Sequence, residues 1–110
     1  MSKKLIILEM ANNHMGDIPH GISLIEAFGV EAKKFPEYNF AFKFQYRDLD
    51  TFIHPSMKGR MDVKFVKRFS ETRLDKSQFD ELIRAARKNG FFVLSTPFDE
   101  KSVGLIKDQD

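Results

Sequence analysis

The chain has 110 residues, 42% hydrophobic and 31% charged, a balance that speaks against disorder and leaves room for one globular domain at most. A formal net charge of +2 gives no argument for a nucleic-acid partner, and the lack of cysteine excludes disulfides and thiolate metal sites while fitting a reducing compartment. No run approaches the roughly 20 apolar residues of a membrane helix, and Leu5 to Leu8 is too short for a secretory signal; the expectation is a soluble, cytoplasmic protein without a membrane or nucleic-acid partner.

Leu5 to Met10 is a continuous apolar run of the kind found in strands covered on both faces. The following Ala11 to Asp17 is rich in turn-forming residues. From Pro19 or His20 to Lys34, Ile22, Ile25, Phe28 and Ala32 recur at helical spacing, with Asp17 and Pro19 at the start, Gly29 weakening the helix and Pro36 stopping it. Phe40 to Gln45 alternates three phenylalanines with Ala41, Lys43 and Gln45, which predicts a strand with rings on one face and a cation and an amide on the other.

Tyr46 to Arg73 reads as a long irregular passage, with Asp48, Asp50 and His54-Pro55, and a short helix is expected around Asp62 to Phe69. Within it Lys58, Arg60, Lys64, Lys67 and Arg68 form a basic cluster whose economical reading is a solvated helix face or loop. Ser77 and Asp80 match a capping pattern for a helix that buries Phe79, Leu82, Ile83 and Ala86, with Gly90 as its C-terminal cap. Phe91 to Thr96 is a third strand, ended by Pro97. Asp99 caps a last helix with Val103 and Ile106 as its apolar pair. Most of the 12 phenylalanines fall at strand or helix periodicity, which favours core packing over a stacking platform.

Strand and helix alternate, so the strands are expected to be parallel, with right-handed crossovers. Glu9, Lys43 and Thr96 then gather at the carboxyl-end edge of the sheet, where such folds bind ligands. Three strands leave bare edges and an uncovered face, and the reading expects the front part of a longer protein.

Glu9 to Asp17, Phe42 to Gln45 and Leu94 to Glu100, in this order and at these separations, resemble the N-terminal part of the sialic acid synthases, including the spore-coat polysaccharide synthases of the same type. The resemblance implies that residues 1–110 are the first three strand-helix units of a (β/α)8 barrel, an incomplete catalytic domain that is silent by itself. It implies condensation of phosphoenolpyruvate with the open aldehyde form of an N-acylated amino sugar. It also implies a manganese or magnesium ion whose histidine ligands lie beyond Asp110, and a homodimer for the whole protein. Met10-Ala11 stands where many members have Ile-Gly, a departure that bears on sugar specificity.

On this resemblance Glu9 binds the sugar or acts as general base, Lys43 supplies charge to phosphoenolpyruvate and Thr96 supplies a hydroxyl. Read from the residues alone, Lys43 points into a barrel lumen, where it needs an anionic partner, or into water. Gln45 either binds substrate or orients Lys43. Asn13 and His14 either satisfy their own turn or serve the sugar. Thr96 before Pro97 also fits a plain strand end. Ser95 is expected to face the helices, and Asp99 and Glu100 to start one. The nearest rival is a 3-deoxy-octulosonate phosphate type of synthase, which would need an additional basic site for a second phosphate. A short binding protein that dimerises through its strand edges is the reading from another class.

Overall fold

The computed structural model describes residues 3–46 and 53–108; Asp48 and Asp50 of the expected irregular passage lie outside them. The chain forms β1 (Lys4–Glu9), α1 (Ile18–Ala32), β2 (Tyr38–Tyr46), a 3-10 turn (Pro55–Met57), α2 (Lys64–Glu71), α3 (Lys76–Lys88), β3 (Phe92–Pro97) and α4 (Glu100–Asp108). Both strand pairs are parallel, and the sheet order is β1-β2-β3.

β2 owes its central place to its pattern. Phe42, Phe44 and Tyr46 are buried beneath the helices, each burial contributing roughly 1.5–3 kcal/mol. Phe42 meets Phe91 edge-on at 4.7 Å, and Tyr46 stacks on Phe79 at 4.0 Å. Ile25 of α1 and Leu82, Ile83 and Ala86 of α3 complete this core. α1 and α3 lie close together because Gly21 and Gly29 offer no side chain: an added Cβ would meet Leu82 at 2.8 Å and Asn89 at 2.9 Å. Gly29 is thus a packing position rather than a mere weakness in the helix.

β1 does not have the two-sided cover its apolar run predicted. It is an edge strand, and Leu5, Ile6 and Ile7 are exposed, as are Phe92 and Leu94 of β3. The helices lie on one face only, and Ser95, in register with Phe44, is on that helix face as expected. The opposite face carries Ile7 and Glu9, Lys43 and Gln45, and Leu94 and Thr96 in matching register.

Three local expectations change. α3 is capped by Asp75, two residues before Ser77: the Asp75 carboxylate accepts from Gln78 N at 2.8 Å, and Gln78 Oε1 accepts from Asp75 N at 2.8 Å. A reciprocal box with a charged acceptor outcompetes Ser77, whose hydroxyl is itself spent on Asp75 at 2.8 Å. In α4 the residues packed on the core are Leu105 and Ile106, whereas Val103 is exposed. β3 runs on through Pro97, which a last strand position tolerates. Gly90 caps α3 at φ +85°, and Asp99 accepts from Ser102 N at 2.8 Å at the start of α4, both as read from the sequence.

Candidate functional site

Parallel pairing brings the ends of β1 and β2 into register, with Glu9 opposite Lys43. Met10 N donates to the Lys43 carbonyl at 2.9 Å, carrying the ladder one residue past Glu9 and fixing where that side chain emerges. On the far side Phe98 N donates to the Tyr46 carbonyl at 2.9 Å, holding the end of β3 beside β2. The side chains that result are a small network. Lys43 Nζ lies 3.4 Å from Glu9 Oε2, and Gln45 Nε2 donates to Glu9 Oε1 at 3.2 Å.

Glu9 therefore has one oxygen facing a cation and the other held by an amide. The side chains of Lys43 and Glu9 remain 37% and 40% exposed, so the pair is open to a ligand and contributes little to stability. The lumen-facing reading of Lys43 required an anionic partner, and Glu9 is one. The bond that Gln45 makes to Glu9 joins it to the same network as Lys43. Thr96 is the register partner of Gln45 and shares the face of Glu9 and Lys43.

The β1–α1 loop rises directly above this cluster. Ala11 at φ +46° and Met15 at φ +59° hold left-handed conformations that side chains disfavour, within a run of turns in which Asn13 N donates to Met10 O, Met15 N to Asn12 O and Asp17 N to His14 O, each at 2.9 Å. His14 is 2% exposed, and its Nδ1 accepts from Gly16 N at 3.0 Å, which makes Nε2 the protonated nitrogen of the neutral ring. Burial, with a smaller contribution from His20, lowers its pKa to about 4. His14 therefore satisfies its own turn, while its ring also lines a cavity of about 30 Å³ with Asn12, Gln45 and Arg73. Asn13 is exposed at the rim.

Two grooves meet at that rim. One of about 600 Å³ runs along the free edge of β1, past Phe28 and Leu24 to Glu9, Asn13 and Met15. The other, about 590 Å³, lies between the Ala11–Met15 backbone and α2 and is bordered by Lys64, Lys67, Arg68 and Glu71. α2 turns its apolar side, with Val66, towards Ile53, Met57 and Val63. Its basic side borders this groove, and Lys64, Lys67 and Arg68 are exposed, in keeping with the reading as a solvated helix face. Lys64, Lys67 and Arg68 share one helical face, in a segment that follows the carboxyl end of a strand. Arg60 of the same cluster is elsewhere, paired with Asp62 at 2.7 Å.

Parallel strands with helices on one face and a polar cluster at their carboxyl ends make this chain the opening part of a barrel-type α/β fold. The profile of the NeuB family matches residues 22–110, and the chain belongs to that family. A solved structure from Chromobacterium violaceum ATCC 12472, described as a spore coat polysaccharide biosynthesis protein E, is 54% identical over 97% of this chain and 32% of its own, with a TM-score of 0.91. The N-acetylneuraminic acid (sialic acid) synthetase of Leptospira borgpetersenii serovar Hardjo-bovis, solved with citrate, is 27% identical over 98% of this chain and 34% of its own, with a TM-score of 0.70. The chain thus spans about a third of the length of these structures. No curated protein matches it. Among the described residues no helix is long and apolar enough to cross a membrane.

Proposed function

We propose that this chain is the amino-terminal part of a synthase that condenses phosphoenolpyruvate with the open-chain aldehyde of an N-acylated amino sugar such as N-acetylmannosamine. The products are a nonulosonic acid of the sialic type and inorganic phosphate. Carbon 3 of the enol attacks the aldehyde carbon, forming the new carbon–carbon bond, and the aldehyde oxygen takes up a proton. Water adds at carbon 2, and the carbon–oxygen bond to phosphate breaks, leaving a keto acid.

The observation that carries this reading is the Glu9–Lys43–Gln45 network at the carboxyl ends of β1 and β2, in a chain of this family. Lys43 places a fixed cation for a compact polyanion. Glu9, held by Gln45, presents a carboxylate to a sugar hydroxyl or to the attacking water. When an anionic substrate approaches, Lys43 exchanges its Glu9 contact for the substrate, and Gln45 keeps Glu9 in place. Thr96 supplies a hydroxyl from the same face, and Asn13 lies at the rim to meet the sugar. His14, neutral and bonded to its own turn, supports the loop that carries Asn13.

A divalent manganese or magnesium ion belongs to this reading of the whole protein. Among the described residues no three His, Cys, Asp or Glu side chains converge. They do not fit such an ion, so no step is routed through it. A homodimer and a cytoplasmic location, where phosphoenolpyruvate is made, complete the proposal.

The test is phosphate release by the full-length protein, supplied with phosphoenolpyruvate, N-acetylmannosamine and manganese. Release that requires both organic substrates, and that falls by roughly 10² to 10⁴ in Glu9→Gln, is the expected result. No release with any N-acylated aldose would overturn the assignment.

A further inference from the structure

The small cavity beside the β1–α1 loop is ringed by polar groups. Among the described residues His14 makes a single hydrogen bond, at Nδ1, so the proton on Nε2 is left to a partner in the cavity that the ring lines. His14 is 2% exposed, and a donor so deeply buried is costly to leave unsatisfied. Around the same cavity stand Asn12 of the loop, Gln45 of β2, and Thr72 and Arg73 after α2. Its volume of about 30 Å³ exceeds the roughly 10–15 Å³ that one water requires.

The groups around it suit a water that accepts from one side and donates to the other. His14 Nε2 and the Arg73 guanidinium are donors only. The Thr72 hydroxyl gives its proton to the Arg68 carbonyl at 2.7 Å, so it meets a neighbour as an acceptor. Gln45 Nε2 donates to Glu9 Oε1 at 3.2 Å, and an ionised carboxylate only accepts, which fixes the sense of the amide: nitrogen towards Glu9, carbonyl oxygen away from it. That oxygen has two acceptor positions, one of which can take a proton from a water in the cavity that Gln45 lines. Turning the amide over would set its oxygen against the Glu9 carboxylate, and a donor fixed at the other end opposes that turn.

We infer that one water in this cavity joins His14 Nε2 to Gln45 Oε1, and that His14 is thereby a positioning residue for Glu9. The ring, neutral above a pKa of about 4, gives the water a fixed donor and exchanges no proton with substrate. The inference rests on the proposed function only for the kinetic consequence of misplacing Glu9; the water and the direction of the Gln45 amide belong to the fold.

The experiment combines crystal structures of the full-length native protein, His14→Asn and His14→Gln with phosphate-release kinetics and thermal melting of each. The asparagine amide can reach the Gly16 N–H as Nδ1 does but has no group where Nε2 stood, whereas the glutamine amide reaches the Nε2 position and leaves Gly16 N without its acceptor. A water within hydrogen-bond distance of His14 Nε2 and Gln45 Oε1 is expected in the native structure. His14→Asn should melt close to the native temperature yet lose roughly ten- to hundredfold in kcat, with the Michaelis constant for phosphoenolpyruvate little changed and the Gln45 amide turned from Glu9. His14→Gln should keep the Gln45–Glu9 bond and most of kcat while melting lower. A native structure without that water, or kcat values that follow the melting temperatures, overturns the inference. A native protein that releases no phosphate overturns the proposed reaction instead, and the water and the Gln45 amide in the three structures then decide the inference alone.

Discussion

Replacing Gly16 by alanine tests how tightly the β1–α1 loop is locked to α2. At φ +72° any residue with a Cβ carries left-handed strain of roughly 1–2 kcal/mol. The new Cβ would also stand 2.6 Å from the Glu71 carbonyl oxygen and 3.2 Å from Thr72 Cα. Both are backbone atoms at the close of α2, so relief requires the helix end to move rather than a side chain to rotate. Overpacking of this kind adds about 1–2 kcal/mol, for a total of roughly 3 kcal/mol. Gly90→Ala is the matched control: its φ is +85°, but nothing lies within 4 Å of the added atom, so it carries the strain alone. Urea unfolding of the full-length protein at unchanged m-value measures both. Gly16→Ala should be the more destabilised by about 1–2 kcal/mol. Equal losses in the two variants would refute the close contact.

Acidification should expose His14. Its folded-state pKa of about 4 lies below the ordinary 6.5, so between these values the unfolded chain takes up a proton that the folded chain refuses. Stability is full above pH 6.5 and falls by roughly 2–3 kcal/mol as the pH drops towards 4. The slope of stability against pH should flatten in His14→Gln; an unchanged slope would show that the ring is not buried neutral. Asp75→Ala should lower the melting temperature more than Ser77→Ala, because the Gln78 backbone and the Ser77 hydroxyl both donate to the Asp75 carboxylate and hold its pKa below the usual range. That contribution is lost as the pH falls through the depressed pKa, and equal effects of the two substitutions would return the cap to Ser77. Among the described residues Ser102 Oγ is buried without a hydrogen-bond partner, so Ser102→Ala should leave the fold unharmed or stabilise it by about 1 kcal/mol; clear destabilisation would reveal a partner for the hydroxyl.

The sequence by itself determined the alternation of strands and helices, because period-two phenylalanines in β2 and helical spacing in α1 and α3 are properties of local chain geometry. It also determined that Lys43 and Gln45 share one face and that Glu9, Lys43 and Thr96 reach one edge, since alternation within a strand sets the face and parallel direction sets the edge; that all four share a face follows from the register. What it left open needed neighbours. That Gln45 reaches Glu9 depends on which strand lies beside β2 and in what register, and the pairing of β1 with β2 brings the two side chains together. Whether His14 satisfies its own turn was open as well, and the bond from Gly16 N to Nδ1 shows that it does, with its ring still lining the small cavity beside Gln45. Asp75 and Ser77 were both credible caps from composition, and only the reciprocal bonds with Gln78 separate them. The basic face of α2 was legible as an amphipathic pattern. That it borders a groove beside the loop after β1 follows from the packing of Val66 with Ile53 and from Gly16 admitting the helix end, contacts that no local pattern encodes.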